Sequence, residues 1–299
     1  MRLIRSVWKQ FLGLATASAV RKCKNRDFSK RPRAPTEACP LASRPIPDLK
    51  RPFQILFTAF NSLSTVLLPA TCKLCQSVVE DLRLGVVCQS CWDGVRLIDE
   101  PFCGICGYAF PSKAISGEAA LCGACRRNLY RFDAARAWAP FQGSVKEIIH
   151  QLKYGRHPSL ARPLAVRLAG TYEAQRQGLQ TDWLIPVPLH PTRKRERGFN
   201  QSGEIARHLS RIVGIPVAQH WLLRTRPTKV QAGLTRRERR QNVNGAFALS
   251  KQADVGGKAV LVIDDVFTTG ATLNECARIL RQSGAARIAA LTVARVIKE

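Results

Sequence analysis

Two groups of residues in this chain are of types, and at spacings, that could do chemistry. The first is eight cysteines in four C-x-x-C pairs, Cys72/Cys75, Cys88/Cys91, Cys103/Cys106 and Cys122/Cys125, separated by 12, 11 and 15 residues. A two-residue gap lets both thiolates of a pair turn toward one ion, and two such pairs complete a tetrahedral zinc site. Eight ligands suit two zinc ions. Pairing in sequence, first with second and third with fourth, is simpler than interleaving. Redox dithiols and iron–sulfur clusters are the competing uses, but redox activity typically needs a single C-x-x-C on a different fold. No cysteine of the set is left over to hold a coordination position open, so the zinc is expected to be structural. Cys23, Cys39 and Cys276 stand outside the pattern and take no role.

The second group lies in residues 260 to 273, V-L-V-I-D-D-V-F-T-T-G-A-T-L. Asp264 and Asp265 stand at the carboxyl end of an apolar run that reads as a buried strand, which is where ligands sit in open α/β sheets. Adjacent carboxylates there suit a metal or a ribose, because burying unpaired charge is costly. Thr268, Thr269, Gly270, Ala271 and Thr272 come next, small and rich in hydroxyls, and lead into a helix start. Free N–H groups and the helix dipole favour an anion at such a place. Gly270 would let the backbone approach a phosphate closely.

Cations gather upstream. Residues 185 to 201, I-P-V-P-L-H-P-T-R-K-R-E-R-G-F-N-Q, read as a strand end, a basic loop over 190 to 197 and the start of a helix. Such a loop suits a pyrophosphate or a nucleic-acid backbone. A second basic segment, 224 to 243, is too long and polar to be a mere connection. Lys153 could reach a phosphate, or be an exposed lysine at a helix end. Phe199 and Trp221 could stack bases, although a core role is the plainer reading for Trp221.

The elements that must position these groups alternate. Residues 135 to 141 read as a strand, 145 to 152 and 160 to 174 as helices, and 183 to 189 as an apolar run. Then come a helix over 202 to 213, a strand over 259 to 263, a helix from about 272 to 282 and a strand over 288 to 293. Strands alternating with helices imply a largely parallel sheet covered on both faces. With 299 residues and 45% apolar content the chain can build a real core. Its formal charge of +26 is clustered: residues 1 to 51 carry 13 basic against 3 acidic side chains, and so do residues 193 to 240. Clusters of this kind point to polyanionic partners. Residues 1 to 51, with many prolines among charges, read as a basic disordered extension. A faint signal-peptide or transit-peptide pattern lies at its start. Residues 52 to 71 read as an amphipathic helix that packs on the cysteine-rich domain after it or touches a membrane surface, and its polar residues argue against a membrane span. The paired cysteines suit a reducing cytoplasm.

In order, the cysteine pairs, L-K-Y at 152 to 154, P-V-P-L-H with R-x-R-G-F-N-Q, Q-x-x-L-x-R-x-x-R-x-x-N and D-D-V-x-T-T-G-A-T span residues 53 to 296. That series resembles the ComF family. The resemblance implies a double zinc ribbon over residues 72 to 130 and a type I phosphoribosyltransferase-like α/β domain over 131 to 299. It also implies binding of phosphoribosyl pyrophosphate (PRPP) with Mg²⁺. Asp264 and Asp265 would hold the ribose hydroxyls and stand at the reacting centre; Thr268, Thr269, Gly270, Ala271 and Thr272 would wrap the 5-phosphate. Arg193, Arg197, Gly198 and Asn200 belong to the pyrophosphate-side loop, and Gln231, Arg236 and Asn242 to the loop that closes over the ligand. The family is associated with DNA uptake in bacterial transformation, which implies single-stranded DNA and a protein of a DNA-import machine as partners in the cytoplasm. Three readings stay open: transfer of ribose 5-phosphate to a nitrogen nucleophile, binding without turnover, and a PRPP-sensing regulator.

Overall fold

The chain divides into two units, Met1–Leu49 and Lys50–Glu299. A computed structural model describes residues 70–110, 120–228 and 235–297, all in the second. The proposed extension and nearly all of the proposed amphipathic helix therefore lie outside the described residues.

Four strands form one parallel sheet: β1 (Ala134–Pro140), β2 (Trp183–Pro186), β5 (Ala259–Phe267) and β6 (Arg287–Arg295), in the order β1-β6-β5-β2. β5 lies between two neighbours and is buried along almost its whole length, so it reads as a continuous apolar run until its two aspartates. Its side chains alternate between two cores. Leu261 and Ile263 face one layer, and Val260 and Val262 the other.

Helices α3 (Gly143–Lys153), α4 (Ala161–Ala174) and α7 (Gln201–Val213) fill the first layer with Ile148, Leu152, Leu164, Leu168, Ile205 and Leu209, and the short α5 (Arg176–Leu179) adds Leu179. Helix α9 (Ala271–Gln282) fills the second with Leu273, Ala277 and Leu280. Neighbouring strands β2 and β5 thus send their following helices, α7 and α9, to opposite faces. That divergence opens a crevice at their carboxyl ends, the topological switch point where α/β sheets take ligands.

The cysteine pairs occupy the other edge. Short helices α1 (Gln89–Asp93) and α2 (Gly123–Arg126) begin within the second and fourth pairs. The first four cysteines lead into the layer that holds Trp92 and Trp138, and the last four into the layer that holds Phe132 and Phe267. The region straddles β1. Ile105 O accepts from Ala135 N at 2.7 Å, and Trp138 O from Ile98 N at 3.3 Å. Those bonds occupy an edge that would otherwise be open to pairing with another chain.

Two segments differ from the expectation of loops. Residues Pro191–Arg197 form helix α6, because His190 Nδ1 accepts from Thr192 N at 3.3 Å, Pro191 suits the first turn, and Arg, Lys and Glu are good helix formers. Gly198, at φ +82°, ends it. The second basic segment, 224 to 243, contains helix α8 (Arg236–Val243) and is flanked by strands β3 (Leu222–Arg224) and β4 (Phe247–Leu249), which pair antiparallel. A capping box starts α8: Thr235 Oγ1 accepts from Glu238 N, and Glu238 Oε2 accepts from Thr235 N at 2.7 Å.

Candidate functional site

At the switch point lies a cleft of about 1010 Å³ whose floor carries Asp264 and Asp265. Neither carboxylate is idle. Lys153, in the last turn of α3, places Nζ 2.7 Å from Asp265 Oδ1, and Gln201 Nε2 donates to Asp265 Oδ2 at 2.7 Å. Arg197 in turn donates to Gln201 Oε1 at 3.0 Å and stacks over Tyr154. Asp264 Oδ1 accepts from Ser202 Oγ at 3.1 Å and from Asp265 N at 2.9 Å. Asp265 is thus held as an ion-paired carboxylate.

Asp264 is different: burial, then the charge of Asp265, push its carboxyl from the ordinary 3.8 up to about 7, against the pull of Lys153, Asp265 N–H and Ser202. A carboxyl whose folded-state pKa is raised costs stability as it ionises, so stability falls as pH rises from about 4 toward 7. Asp264→Asn is expected to remove that slope, leaving melting temperatures at about pH 5 and about pH 8 closer together than in the parent. An unchanged pH slope would assign the titration to another group.

The threonine segment comes directly after. Thr268, Thr269 and Thr272 line the cleft, and Gly270 begins α9 at φ +77°. A Cβ on Gly270 would stand 2.5 Å from Phe267 Cε2 and 2.8 Å from Tyr130 Cε1. Glycine is therefore needed both for the left-handed backbone and for two aromatic rings pressed against it. Thr269 Oγ1 is buried with no hydrogen-bond partner among the described residues. A buried hydroxyl left without a partner at the start of a helix is what an anion would satisfy.

The sequence-derived cations separate by position. On α6, Arg193 and Arg197 face the cleft, whereas Lys194 and Arg195 are exposed. Asn200 turns away: its Nδ2 donates to Val187 O at 3.1 Å, and with Gly198 it shapes the passage from α6 into α7. Asn242 lies near the end of α8, where its carbonyl accepts from Arg226. Gln231 and the side chain of Arg236 lie outside the described residues. Trp221 packs against Trp183 at 4.8 Å and Phe199 packs against the core, and both rings stay half-buried.

Several lining residues escape sequence reasoning. Lys153 is more than an exposed lysine at a helix end: it lines the cleft and pairs with Asp265. Gln201, which lines the cleft, closes the G-F-N-Q run, and Ser202, which supports Asp264, comes next; their position at the first turn of α7 was the available signal. Tyr108, Tyr130 and Arg295 reach the cleft from segments that carry no ligand-like pattern.

The cysteines resolve into two clusters, Cys72/Cys75/Cys88/Cys91 and Cys103/Cys106/Cys122/Cys125, the sulfurs of each within 4.8 Å of one another. This is the sequential pairing. Four thiolates about 2.3 Å from a tetrahedral zinc ion stand about 3.8 Å apart. The Cys72–Cys91, Cys75–Cys88 and Cys106–Cys122 sulfur separations of 3.9, 3.5 and 3.5 Å fit that figure. Among the described residues no helix is long and apolar enough to cross a membrane.

Comparison with known proteins agrees with both parts of the molecule. Residues 63–126 match the model of a double zinc ribbon domain and residues 158–299 that of a phosphoribosyl transferase domain. The DNA utilization protein YhgH of Shigella flexneri is 32% identical over 232 residues, 77% of this chain and 98% of that protein. Competence protein F of Haemophilus influenzae is 30% identical, covering 75% and 96% of the two chains. Competence protein ComFC of Bacillus subtilis is 26% identical, covering 70% and 84%.

Proposed function

The chain belongs to the ComF family, and from that premise we propose that its cleft binds PRPP with Mg²⁺ while its basic surface holds single-stranded DNA, in the service of DNA import. The observation that carries the ligand is the gathering of the orphaned Thr269 hydroxyl, the Asp264/Asp265 pair and Arg193 and Arg197 around one cleft. Together these groups suit a 5-phosphate, ribose hydroxyls and a pyrophosphate. Mg²⁺ would be held by hard oxygen donors, for which the two carboxylates are the right chemistry, and it would offset ligand charge. Lys153 and Gln201 would keep Asp265 oriented. Arg193 and Arg197, held beside the cleft by Glu196 and Gln201, would offset pyrophosphate charge.

The DNA reading rests on the cations that do not face the cleft. Lys194 and Arg195 on α6 and Arg237 and Arg240 on α8 are exposed. A strand held through about four phosphates follows a slope of about −0.7 per phosphate in log affinity against log salt. It loses roughly fiftyfold in affinity between about 50 and 200 mM salt.

A second reading, transfer of ribose 5-phosphate to a nitrogen nucleophile, is favoured by the size of the cleft. At about 1010 Å³ it stands at the top of the range of about 300–1,000 Å³ usual for small-molecule pockets, with Tyr108 and Phe141 on its walls. Isothermal titration with PRPP and Mg²⁺, repeated with a single-stranded oligonucleotide at two salt concentrations, separates the readings. Saturable PRPP binding without pyrophosphate release, together with salt-steep strand binding, is expected. Pyrophosphate release on adding a nitrogen acceptor, with no strand binding, would move the assignment to the enzyme.

A further inference from the structure

The two cysteine clusters differ in what they touch. The first meets the body of the protein through Trp92, which lies 6.2 Å from Trp138 and under the Arg167 guanidinium at 3.9 Å. That contact leads into α4, on the opposite side of the sheet from α9.

The second cluster has two arms that converge on the threonine segment. One runs through Arg295, only 4% exposed at the end of β6. Its Nη1 donates to Cys106 O at 2.6 Å and its Nη2 to Cys106 Sγ at 3.4 Å, while the guanidinium lies 3.8 Å above the ring of Phe267. Phe267 is the residue before Thr268, and its ring is one of the two pressed against Gly270. The other arm runs from Cys122 and Cys125 through α2 to Tyr130. Tyr130 OH donates to Thr269 O at 3.4 Å, its ring is the second wall at Gly270, and it meets Phe267 edge-on at 5.8 Å. The next residue ties the same segment to α9, as Arg131 N donates to Asn274 Oδ1 at 2.6 Å.

We propose that the second four-cysteine cluster positions the phosphate loop, with Arg295 and Tyr130 as its positioning residues, while the first cluster has no such task. This deepens the reading that the loop takes a phosphate, and rests on it. The physical reason is that Thr268, Thr269 and Gly270 have no regular structure of their own. Their backbone is set by Phe267 and Tyr130, and both rings are held by groups anchored on the second cluster. A thiolate bound to zinc is a fixed acceptor for Arg295, and a fixed start for the chain that ends at Tyr130. An anion site made of backbone N–H groups and hydroxyls depends on such preorganisation.

The test uses the full-length, zinc-loaded chain and three variants: Arg295→Met, Tyr130→Leu and, as the matched control at the first cluster, Arg167→Met. Hydrogen exchange over residues 267–272 is expected to quicken at least tenfold in the first two variants and to stay within twofold in the third. Zinc content should remain two per chain. Dissociation constants for PRPP with Mg²⁺ should rise at least tenfold in the first two and hold in the control. Unchanged exchange in a folded Arg295→Met and Tyr130→Leu, or equal loosening in Arg167→Met, overturns the proposal. If Arg295→Met fails to fold, Tyr130→Leu alone decides. If the parent chain takes no PRPP while the exchange pattern holds, the phosphate reading falls and the positioning role stands.

Discussion

Asp265→Ala is expected to weaken PRPP binding in the presence of Mg²⁺ at least a hundredfold, equivalent to about 2.7 kcal/mol, with the fold intact. The wild-type carboxylate is anchored at both oxygens, by Lys153 and by Gln201, so it meets the ligand without having to be ordered first. Alanine removes the acceptor of both donors and frees Arg197 together with Gln201, to which it is bonded. The fold survives for an electrostatic reason. Asp264 is kept partly protonated by burial and by Asp265. Without Asp265 it ionises more readily and becomes a partner for Lys153, which is 19% exposed at its side chain. The charge left behind is therefore compensated within the site, and the melting temperature should fall by only a few degrees, about 2–4 °C for each kcal/mol in a domain of this size. Isothermal titration and a thermal melt on the same preparation check both halves. A folded variant that binds PRPP like the parent would remove Asp265 from the ligand site.

What the sequence made legible was what local chemistry dictates. The strand, turn and helix over 260 to 282 declare themselves because an apolar run, two carboxylates and a hydroxyl-rich turn each have one comfortable place in an α/β unit. The cysteine pairs declare themselves because their spacing is a geometric requirement of zinc. The helical state of α6 was obscured by its charge: a run of four cations around one glutamate reads as a ligand loop, yet each of those residues is a good helix former once His190 and Pro191 start the turn. Helix α8 was hidden in the same way, although its T-x-x-E cap was present in the sequence. The tertiary partners were not legible at all. Lys153 and Asp265 are 112 positions apart and Cys106 and Arg295 are 189 apart, so their meeting is a property of the sheet order and of no local pattern. Phe199 and Trp221 show the converse. Aromatic side chains beside basic residues suggest stacking faces, but the cost of exposing their apolar area half-buries these two, Trp221 against Trp183 and Phe199 against the core.

Cys88→Ser should cost the fold more stability than any other substitution proposed for this chain. Cys88 is fully buried, with its sulfur 3.5 Å from that of Cys75, and serine supplies no thiolate. Zinc content is expected to fall from two ions per chain toward one. Structural zinc contributes about 10–16 kcal/mol of apparent binding energy in small zinc-dependent peptides. Losing even about 4 kcal/mol of it would lower the melting temperature by roughly 8–16 °C. The damage would not stay at the metal. Trp92 adjoins Cys91 and carries the contact with Arg167 and Trp138, so loosening the first cluster opens the core layer beneath α4. It would also loosen the chain that covers the β1 edge near Trp138, where Ile98 N is bonded, and an uncovered edge invites pairing between molecules. Aggregation on warming should therefore accompany the lower melt. Because the phosphate loop is held from the second cluster, the variant should still bind PRPP with nearly parental affinity well below its melting point. Elemental analysis, a melt followed by light scattering and a titration in the cold check the three statements in turn. Two zinc ions per chain with an unshifted melt would mean that Cys88 is not a ligand. A normal melt with PRPP binding lost would mean that the first cluster, and not the second, governs the loop.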